Sequence, residues 1–155
     1  MIFVTVGGDQ FQFNRLIQAV DEYCGQKGQQ AYIQLGSSDY RPRHCEWSTF
    51  LSFKQVQSLI HDSQIVISHA GAGTILACIN NGKIPVVAPR LSQFGEAIDD
   101  HQVEFAYRMQ KHGYAHVIDL KNLADSLKSF TNNNIASFAS RTVELVSYLD
   151  SISKR

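Results

Sequence analysis

The sequence predicts a Rossmann-like α/β domain, in which a mostly parallel sheet carries helices on both faces. Two observations favour this fold. Short apolar runs rich in valine, isoleucine and aromatic residues recur at 2–6, 31–35, 64–68, 84–88 and 115–118. The segments between them space their apolar residues by three and four, as helices with one buried face do. Strands that alternate with helices imply parallel crossovers, and strands covered on both faces are almost continuously apolar.

The first half of the chain begins with the strand 2–6 and the pair Gly7-Gly8. A helix is expected next, because the following apolar residues repeat at helical spacing. They are Phe13, Leu16, Ile17, Val20 and Cys24. The run 31–35 predicts the second strand. The stretch 37–53 is the least regular part, where a polar loop precedes residues 46–51, which have the composition of a further strand.

The second half of the chain repeats this alternation. The strand 64–68 leads through a glycine-containing turn into a short apolar helix. After 84–88 we expect a helix with the apolar stripe Ile98, Gln102, Phe105, Ala106 and Met109. Two helices are expected after 115–118, with Asn132–Asn134 as the turn between them. The last helix, 134–152, has its stripe at Ile135, Phe138, Ala139, Thr142, Leu145, Val146 and Leu149.

Composition restricts both the fold and the function. A chain of 155 residues with 44% hydrophobic residues is sufficient for one core, so 1–155 is expected to be a single domain. Fourteen basic and fourteen acidic residues cancel, which provides no broad positive field for nucleic acid. The three cysteines contain no Cys-x-x-Cys pair and indicate neither a disulfide framework nor a zinc site. No apolar run approaches the roughly 18 residues of a membrane span, and a strand-like segment begins the chain, so we expect a soluble cytoplasmic protein.

Three unusual segments are expected to meet at one edge of the sheet, because the carboxyl ends of parallel strands share an edge. They are Gly7–Gln10, Ser68–Thr74 and Pro89–Gln102. Gly71 and Gly73 lack a Cβ, which allows a phosphate to approach the amides that begin the following helix, and the helix dipole favours its negative charge. This turn therefore predicts a diphosphate site. The alternative is that the glycines serve only the turn or close packing.

Two common nucleotide-binding motifs are excluded by missing residues. A dinucleotide fingerprint requires a third glycine where Leu76 stands and an acidic residue where the sequence reads Ala88-Pro89-Arg90. A Walker loop requires Gly-Lys-Ser/Thr, which does not occur in the chain. No Asp-x-Asp motif stands at a strand end, so we expect a site that works without a metal ion.

Polar side chains cluster where the helix after 84–88 is predicted to begin. Asp99, Asp100, His101 and Gln102 offer carboxylate, imidazole and amide groups that suit the hydroxyls of a sugar ring. The aspartates have an alternative role as helix-capping acids. Gln102 falls in the apolar stripe of its own helix, so its amide needs a partner in the core or in a ligand.

These motifs together resemble the C-terminal domain of glycosyltransferase family 28, the donor half of GT-B glycosyltransferases. The resemblance rests on Ile-Ser-His-Ala-Gly-Ala-Gly-Thr at 67–74, on 82–90, and on Gly95-Glu96 followed by 99–106. It covers nearly the whole chain. It is strongest to free-standing members, namely the catalytic subunit of the dolichol-pathway N-acetylglucosaminyltransferase and small subunits of bacterial exopolysaccharide glycosyltransferases.

The resemblance implies a UDP-sugar site without a metal ion or other cofactor. Gly7 and Gly8 would line the acceptor side of the cleft. The diphosphate would be held by His69, Gly71, Ala72, Gly73 and Thr74. Arg90 would lie near the uridine. Ribose and donor sugar would be met by Glu96, Asp100, His101 and Gln102, with Gln102 as the main sugar contact.

One departure from the family concerns ribose recognition. Several relatives carry a glutamate where this chain has Ala77. Glu96 is the candidate that would replace it, and the alternative is weaker binding of the ribose.

The implied reaction is an inverting hexosyl transfer, in which UDP leaves the anomeric carbon while an acceptor hydroxyl attacks from the opposite face. Amides at the helix N-terminus, with His69 as a proton or hydrogen-bond donor, would stabilise the leaving diphosphate, each donor by roughly 3–4 kcal/mol. His69 has the alternative role of bonding a neighbouring backbone carbonyl. Asp9 is the candidate general base in this chain.

The resemblance also implies a partner, because enzymes of this kind draw acceptor contacts from a second domain. We expect a membrane-anchored, acceptor-binding glycosyltransferase subunit that presents a lipid-linked saccharide in polysaccharide or glycolipid biosynthesis, with this chain peripheral to the membrane through it. The helix 134–152 either packs on the domain or reaches that partner. Two other functions stay open: a non-catalytic nucleotide-sugar-binding module that regulates a partner and, ranked last, half of a nucleotide-sugar epimerase.

Overall fold

A computed structural model describes residues 1–133 and 141–153 of the chain. Its strands form one sheet in the order β3-β2-β1-β4-β5-β6, and every neighbouring pair is parallel. They are β1 Ile2–Thr5, β2 Ala31–Gln34, β3 Glu46–Ser48, β4 Ile65–Ser68, β5 Val86–Val87 and β6 His116–Val117. The Rossmann-like prediction is therefore confirmed, and so is the strand expected near 46–51.

Four α-helices connect strands of the sheet, a loop without an α-helix joins β2 to β3, and two further α-helices are described after β6. The helices are α1 Asn14–Lys27, α2 Phe53–Asp62, α3 Ala72–Asn80, α4 His101–Lys111, α5 Leu123–Asn133 and α6 Arg141–Ser153. Sequence reasoning missed α2, although Ser52 and Gln55 form a capping box that marks its start. None of the described helices is long and apolar enough to cross a membrane.

Three predicted details differ from the structure or lie outside it. Helix α4 begins only at His101, because the Asp99 carboxylate accepts the His101 N–H and holds the preceding chain in a turn, so Ile98 lies outside the helix and is 83% exposed. Helix α5 continues through Asn133, so no turn begins at Asn132. Of the predicted last stripe, Ile135, Phe138, Ala139 and the Thr142 side chain lie outside the described part of the chain.

The core has a layer on each face of the sheet, because successive side chains of a strand point to opposite faces. On one face Ile2 and Val4 pack with apolar residues of α1 and α5. On the other face Phe3 packs against α2 and α3. Leu145 of α6 is fully buried in a cluster with α3 and α4, so the described part of this helix packs on its own domain.

The strand order places a crevice at the middle of the sheet. β1 and β4 are neighbours, but the chain leaves β1 toward β2 and leaves β4 toward β5. Helices on opposite faces then diverge from the carboxyl ends of these two strands, which is where open α/β sheets bind ligands. Thr5 pairs with Ser68 at this point, so the loops after β1 and β4 lie side by side.

Candidate functional site

The imidazole of His69 fills the space between two glycines. A Cβ on Gly7 would lie 2.6 Å from the ring Cε1 atom, and a Cβ on Gly71 would lie 2.8 Å from the same atom. Gly7 also has φ +73°, a conformation that a side chain would strain. The expectation that the missing Cβ of Gly71 makes room for a phosphate is therefore corrected, because the His69 ring occupies that space.

Gly73 is different, because the space around it is open. Apart from its chain neighbours and the backbone of α3 itself, no described atom lies within 4 Å of a Cβ placed on Gly73, and both Ala72 and Gly73 are exposed in the first turn of α3. The cap residue is Gly71, which has no side chain to accept a hydrogen bond from the helix. Since the first N–H groups of a helix have no intrahelical partner, the start of α3 presents free donors to an anionic ligand.

His69 is a neutral side chain near pH 7. Burial lowers the pKa of His69 to about 4, and the nearby Arg90 charge acts in the same direction, while the Thr5 carbonyl and the Asp9 carboxylate oppose both. The ring Nδ1 is fully buried without a hydrogen-bond partner in the described structure. In the free protein a neutral imidazole is suited to hydrogen bonding, whereas donation of a proton would first require this pKa to rise.

The lowered pKa of His69 makes stability depend on pH. An unfolded chain has the ordinary histidine pKa and binds the proton first, so acid favours unfolding between the unfolded and folded pKa values. When the pH falls from about 7 to about 5, we expect the free energy of unfolding to decrease by roughly 2 kcal/mol because of His69. Denaturant unfolding of the wild type and of His69→Gln at both pH values measures this, and equal losses in the two proteins would contradict it.

Arg90 lies in the core rather than in the cleft. Its side chain is fully buried, with Nη2 donating to the Val6 carbonyl at 2.7 Å. Its Nη1 donates to the carbonyls of Phe11 and Gln12, at 3.0 Å each, and of Glu96 at 3.2 Å. The predicted contact of this side chain with uridine is therefore corrected, because the guanidinium is used to hold the loop after β1 against the loop after β5.

Glu96 is also buried, with 1% of its surface exposed. Arg15 of α1 binds both carboxylate oxygens, at 2.9 and 3.0 Å, and the Leu91 N–H donates to Oε2 at 2.9 Å. This bidentate pair fixes the loop after β5 on α1. The expected role of Glu96 as a ribose ligand is corrected, because its oxygens already have partners and face away from solvent.

Sequence reasoning missed Arg15, since its partner Glu96 is 81 residues away and no local pattern marks the pair. Arg15 also stacks over the Phe94 ring, 5.0 Å from its centroid. Both residues line a cavity of about 580 Å³ between α1 and the loop after β5, together with Gln12 and Leu91. The cavity opens beside the segment that Arg90 holds in place.

The Asp99–Gln102 segment is at the surface as predicted, but its side chains have different partners. Asp99 pairs with His101 Nδ1 at 2.7 Å, and this hydrogen bond raises the pKa of His101. Asp100 stands at the cap position of α4, but its carboxylate accepts the Ser92 N–H at 2.9 Å and makes no hydrogen bond to the first turn of α4, so the side-chain capping role is not found for it. Half-buried Gln102 accepts the Arg90 N–H through Oε1 at 3.4 Å. Its amide nitrogen has no hydrogen-bond partner among the described residues.

The loop after β1 is exposed beyond Gly7. A Cβ on Gly8 would meet nothing within 4 Å, and the Asp9 carboxylate accepts the Gln10 N–H at 2.6 Å. Ser37 donates to the Asp9 carbonyl at 2.7 Å and so ties this loop to the end of β2. Among the described residues, no three His, Cys, Asp or Glu side chains approach closely enough to hold a metal ion.

The model of the glycosyltransferase family 28 C-terminal domain matches residues 1–152. The UDP-N-acetylglucosamine transferase subunit ALG13 of Cryptococcus neoformans is 37% identical over 76 residues, which are 48% of this chain and 36% of that protein. The Candida albicans protein of the same name is 28% identical over 93 residues, 59% of this chain and 30% of that protein. The matched part of this chain thus spans about a third of the length of these relatives.

Solved glycosyltransferases share the fold at low sequence identity. The glycotransferase of kitacinnamycin has a TM-score of 0.59 and 18% identity, with coverage of 97% of this chain and 39% of that chain. MurG of Acinetobacter baumannii has a TM-score of 0.54 and 17% identity, with coverage of 83% and 40%. These structures support a GT-B-type Rossmann-like domain.

Proposed function

This chain belongs to the glycosyltransferase family 28 C-terminal domain family, and from that membership we propose that it binds a UDP-sugar and forms the catalytic donor half of an inverting hexosyltransferase. The observation that carries the proposal is the open first turn of α3 at the crevice between β1 and β4. Its amides face solvent at the position where this fold binds ligands. The fungal relatives are subunits of UDP-N-acetylglucosamine transferases, which supports a UDP-sugar as the donor.

Stabilising the diphosphate is the main chemical task of this half. Negative charge develops on UDP as the bond to the anomeric carbon breaks, and the amides of Ala72, Gly73 and Thr74 are fixed donors that need no reorganisation. His69, held between Gly7 and Gly71, adds a ring nitrogen beside them. Such preorganised donors contribute roughly 3–4 kcal/mol each to transition-state stabilisation, which is why we propose a reaction without a metal ion.

The acceptor and its base are proposed to come from a partner. Asp9, which is exposed on the loop after β1, is the alternative base within this chain. The fungal relatives are subunits of UDP-N-acetylglucosamine transferases, which supports a second, acceptor-binding chain. We propose that the acceptor-binding partner is membrane-anchored and presents a lipid-linked saccharide. The partner would also hold the protein described here at the membrane.

The relatives in Cryptococcus neoformans and Candida albicans are UDP-N-acetylglucosamine transferase subunits, which gives no support to exopolysaccharide biosynthesis, the role of the bacterial proteins that the sequence resembles. Because the base is proposed to come from a partner, a nucleotide-sugar-binding module that regulates this partner is the second candidate. Sugar transfer that occurs only when this chain and the acceptor-binding chain are mixed would support the enzyme, and UDP-sugar binding without transfer would support the module.

Gln102 provides the test of sugar recognition. Its amide nitrogen has no partner among the described residues and is available to a sugar hydroxyl. We therefore expect Gln102→Ala to keep its affinity for UDP within about twofold. The ratio of affinities among UDP-sugars should fall by about tenfold, which corresponds to one lost hydrogen bond. Calorimetric titration in the presence of a chelator measures both quantities. Gln57→Ala on α2 is the control, and discrimination unchanged by Gln102→Ala would remove this residue from the site.

A further inference from the structure

The outer edge of the sheet carries large aromatic side chains that the fold does not use. β3 is the last strand on this side, and Trp47 on it is 39% exposed. Phe50 follows the strand with 59% of its surface exposed, and Phe53 begins α2 with 80% exposed. We call Trp47, Phe50 and Phe53 the aromatic edge. Exposed apolar groups are common singly, but three large ones within seven residues mark a contact surface.

Positive charge accompanies these aromatic residues. The segment 41–54 contains Arg41, Arg43 and Lys54 but only one carboxylate, Glu46, although the whole chain has no net charge. The Arg41 guanidinium lies 5.3 Å from the centroid of the Trp47 ring, so cation and aromatic ring belong to the same patch. A surface that combines exposed aromatic rings with cations complements a partner that has an anionic surface layer above an apolar interior.

We propose that the aromatic edge docks directly on an anionic phospholipid surface. Tryptophan and phenylalanine rings settle at the boundary between headgroups and acyl chains, while lysine and arginine bind the anionic headgroups. The contact holds the protein reversibly, because two phenylalanine rings and a few cations bury little apolar surface compared with a spanning helix. The patch itself needs neither UDP nor a partner chain.

The shape of the patch favours a membrane over a protein strand or helix. Phe50 and Phe53 project from the surface, whereas side chains that line a groove for a helix are partly covered by its walls. β3 has three residues, one of them Glu46, which gives an added strand few hydrogen bonds and an unfavourable charge. Projecting rings flanked by cations are instead suited to insertion between headgroups.

This docking would also orient the proposed site. Because all strands are parallel, the chain after β3 lies at the same edge of the sheet as the loops after β1 and β4. A protein resting on Phe50 and Phe53 would therefore hold its crevice close to the lipid surface. This last step rests on the proposed function, since only a lipid-linked acceptor would give that position a purpose.

The experiment uses Trp47 as its probe, because it is the only tryptophan of the chain. The full chain is titrated with vesicles of phosphatidylcholine mixed with phosphatidylglycerol, and with phosphatidylcholine alone. We expect a blue shift of the emission and co-sedimentation with the anionic vesicles, both weakened by high salt. Phe50→Ser with Phe53→Ser should reduce the partition coefficient at least about tenfold.

Tyr107→Ser on α4, where the ring is 55% exposed, is the matched control and should bind vesicles like the wild type. Circular dichroism and thermal unfolding establish that the variants are folded, and a UDP titration is run in parallel. The proposal is overturned if the wild type does not bind anionic vesicles or if the double variant binds them as tightly as the wild type does. It is also overturned if the emission shifts with protein concentration alone, which would identify a second copy of the chain as the occupant. UDP binding is a separate readout, so either proposal can fail without the other.

Discussion

Arg90→Met is expected to lower the free energy of unfolding by at least about 3 kcal/mol, the largest loss we foresee for a single side chain outside the apolar core. The guanidinium is fully buried and donates to carbonyls of Val6, Phe11, Gln12 and Glu96. Methionine has a similar length but no donor, so the buried hydrogen bonds to Val6 and Glu96 and the part-buried ones to Phe11 and Gln12 are lost without replacement by the side chain. Chemical denaturation measures the loss.

The prediction for Arg90 separates its hydrogen bonds from its charge. Arg90→Lys keeps the charge but has fewer donors in a different geometry, so we expect it to recover only part of the stability. Arg108→Met, which breaks an exposed pair with Glu104 at 3.4 Å, should cost less than about 1 kcal/mol. A loss for Arg90→Met no larger than that for Arg108→Met would contradict the role we assign to this residue.

Gly71→Ala is expected to destabilise the domain by roughly 1–3 kcal/mol and to weaken UDP binding at the same time. The backbone of Gly71 is in an extended conformation that alanine accepts, so the cost comes from the collision of the new methyl group with the His69 ring. The ring is largely enclosed and has little room to move without displacing Gly7 or the start of α3. Thermal unfolding and calorimetry measure the two effects.

A double-mutant cycle identifies the cause of that loss. In a His69→Ala background the ring is absent, so Gly71→Ala should cost less than it does in the wild type by at least about 1 kcal/mol. Strictly additive effects would show that the methyl group meets something other than His69.

The fold could be predicted because its signals are local. The strands appear as short apolar runs, and the central pair β1 and β4 is buried on both faces, so nearly every residue there is apolar. The position of the crevice followed from parallel strands alone. The passage from strand to helix at 68–74 was also predicted, although the turn is shorter than expected, because α3 begins at Ala72 and contains Gly73 and Thr74.

The roles of individual side chains were harder to predict because they depend on contacts between distant parts of the chain. Arg90 and Glu96 are polar residues in a predicted ligand-binding loop, and only the fold shows that Val6 and Arg15 are their partners. Gly71 carried the correct signal of a close approach, but the group that approaches is His69, two residues earlier. Spacing alone does not distinguish a glycine that accommodates a side chain from one that accommodates a ligand.

Titration of Gly73→Ala with UDP tests most directly whether the start of α3 holds the diphosphate. A methyl group at Gly73 meets no described atom within 4 Å outside its chain neighbours and the backbone of α3. Alanine is favoured over glycine in a helix by roughly 0.5–1 kcal/mol. Without UDP, the Gly73→Ala protein should therefore be at least as stable as the wild type. The same methyl group would stand where a phosphate must approach the amides, and we therefore expect UDP affinity to fall at least about tenfold. Gly73→Ala protein that binds UDP as tightly as the wild type would contradict this account.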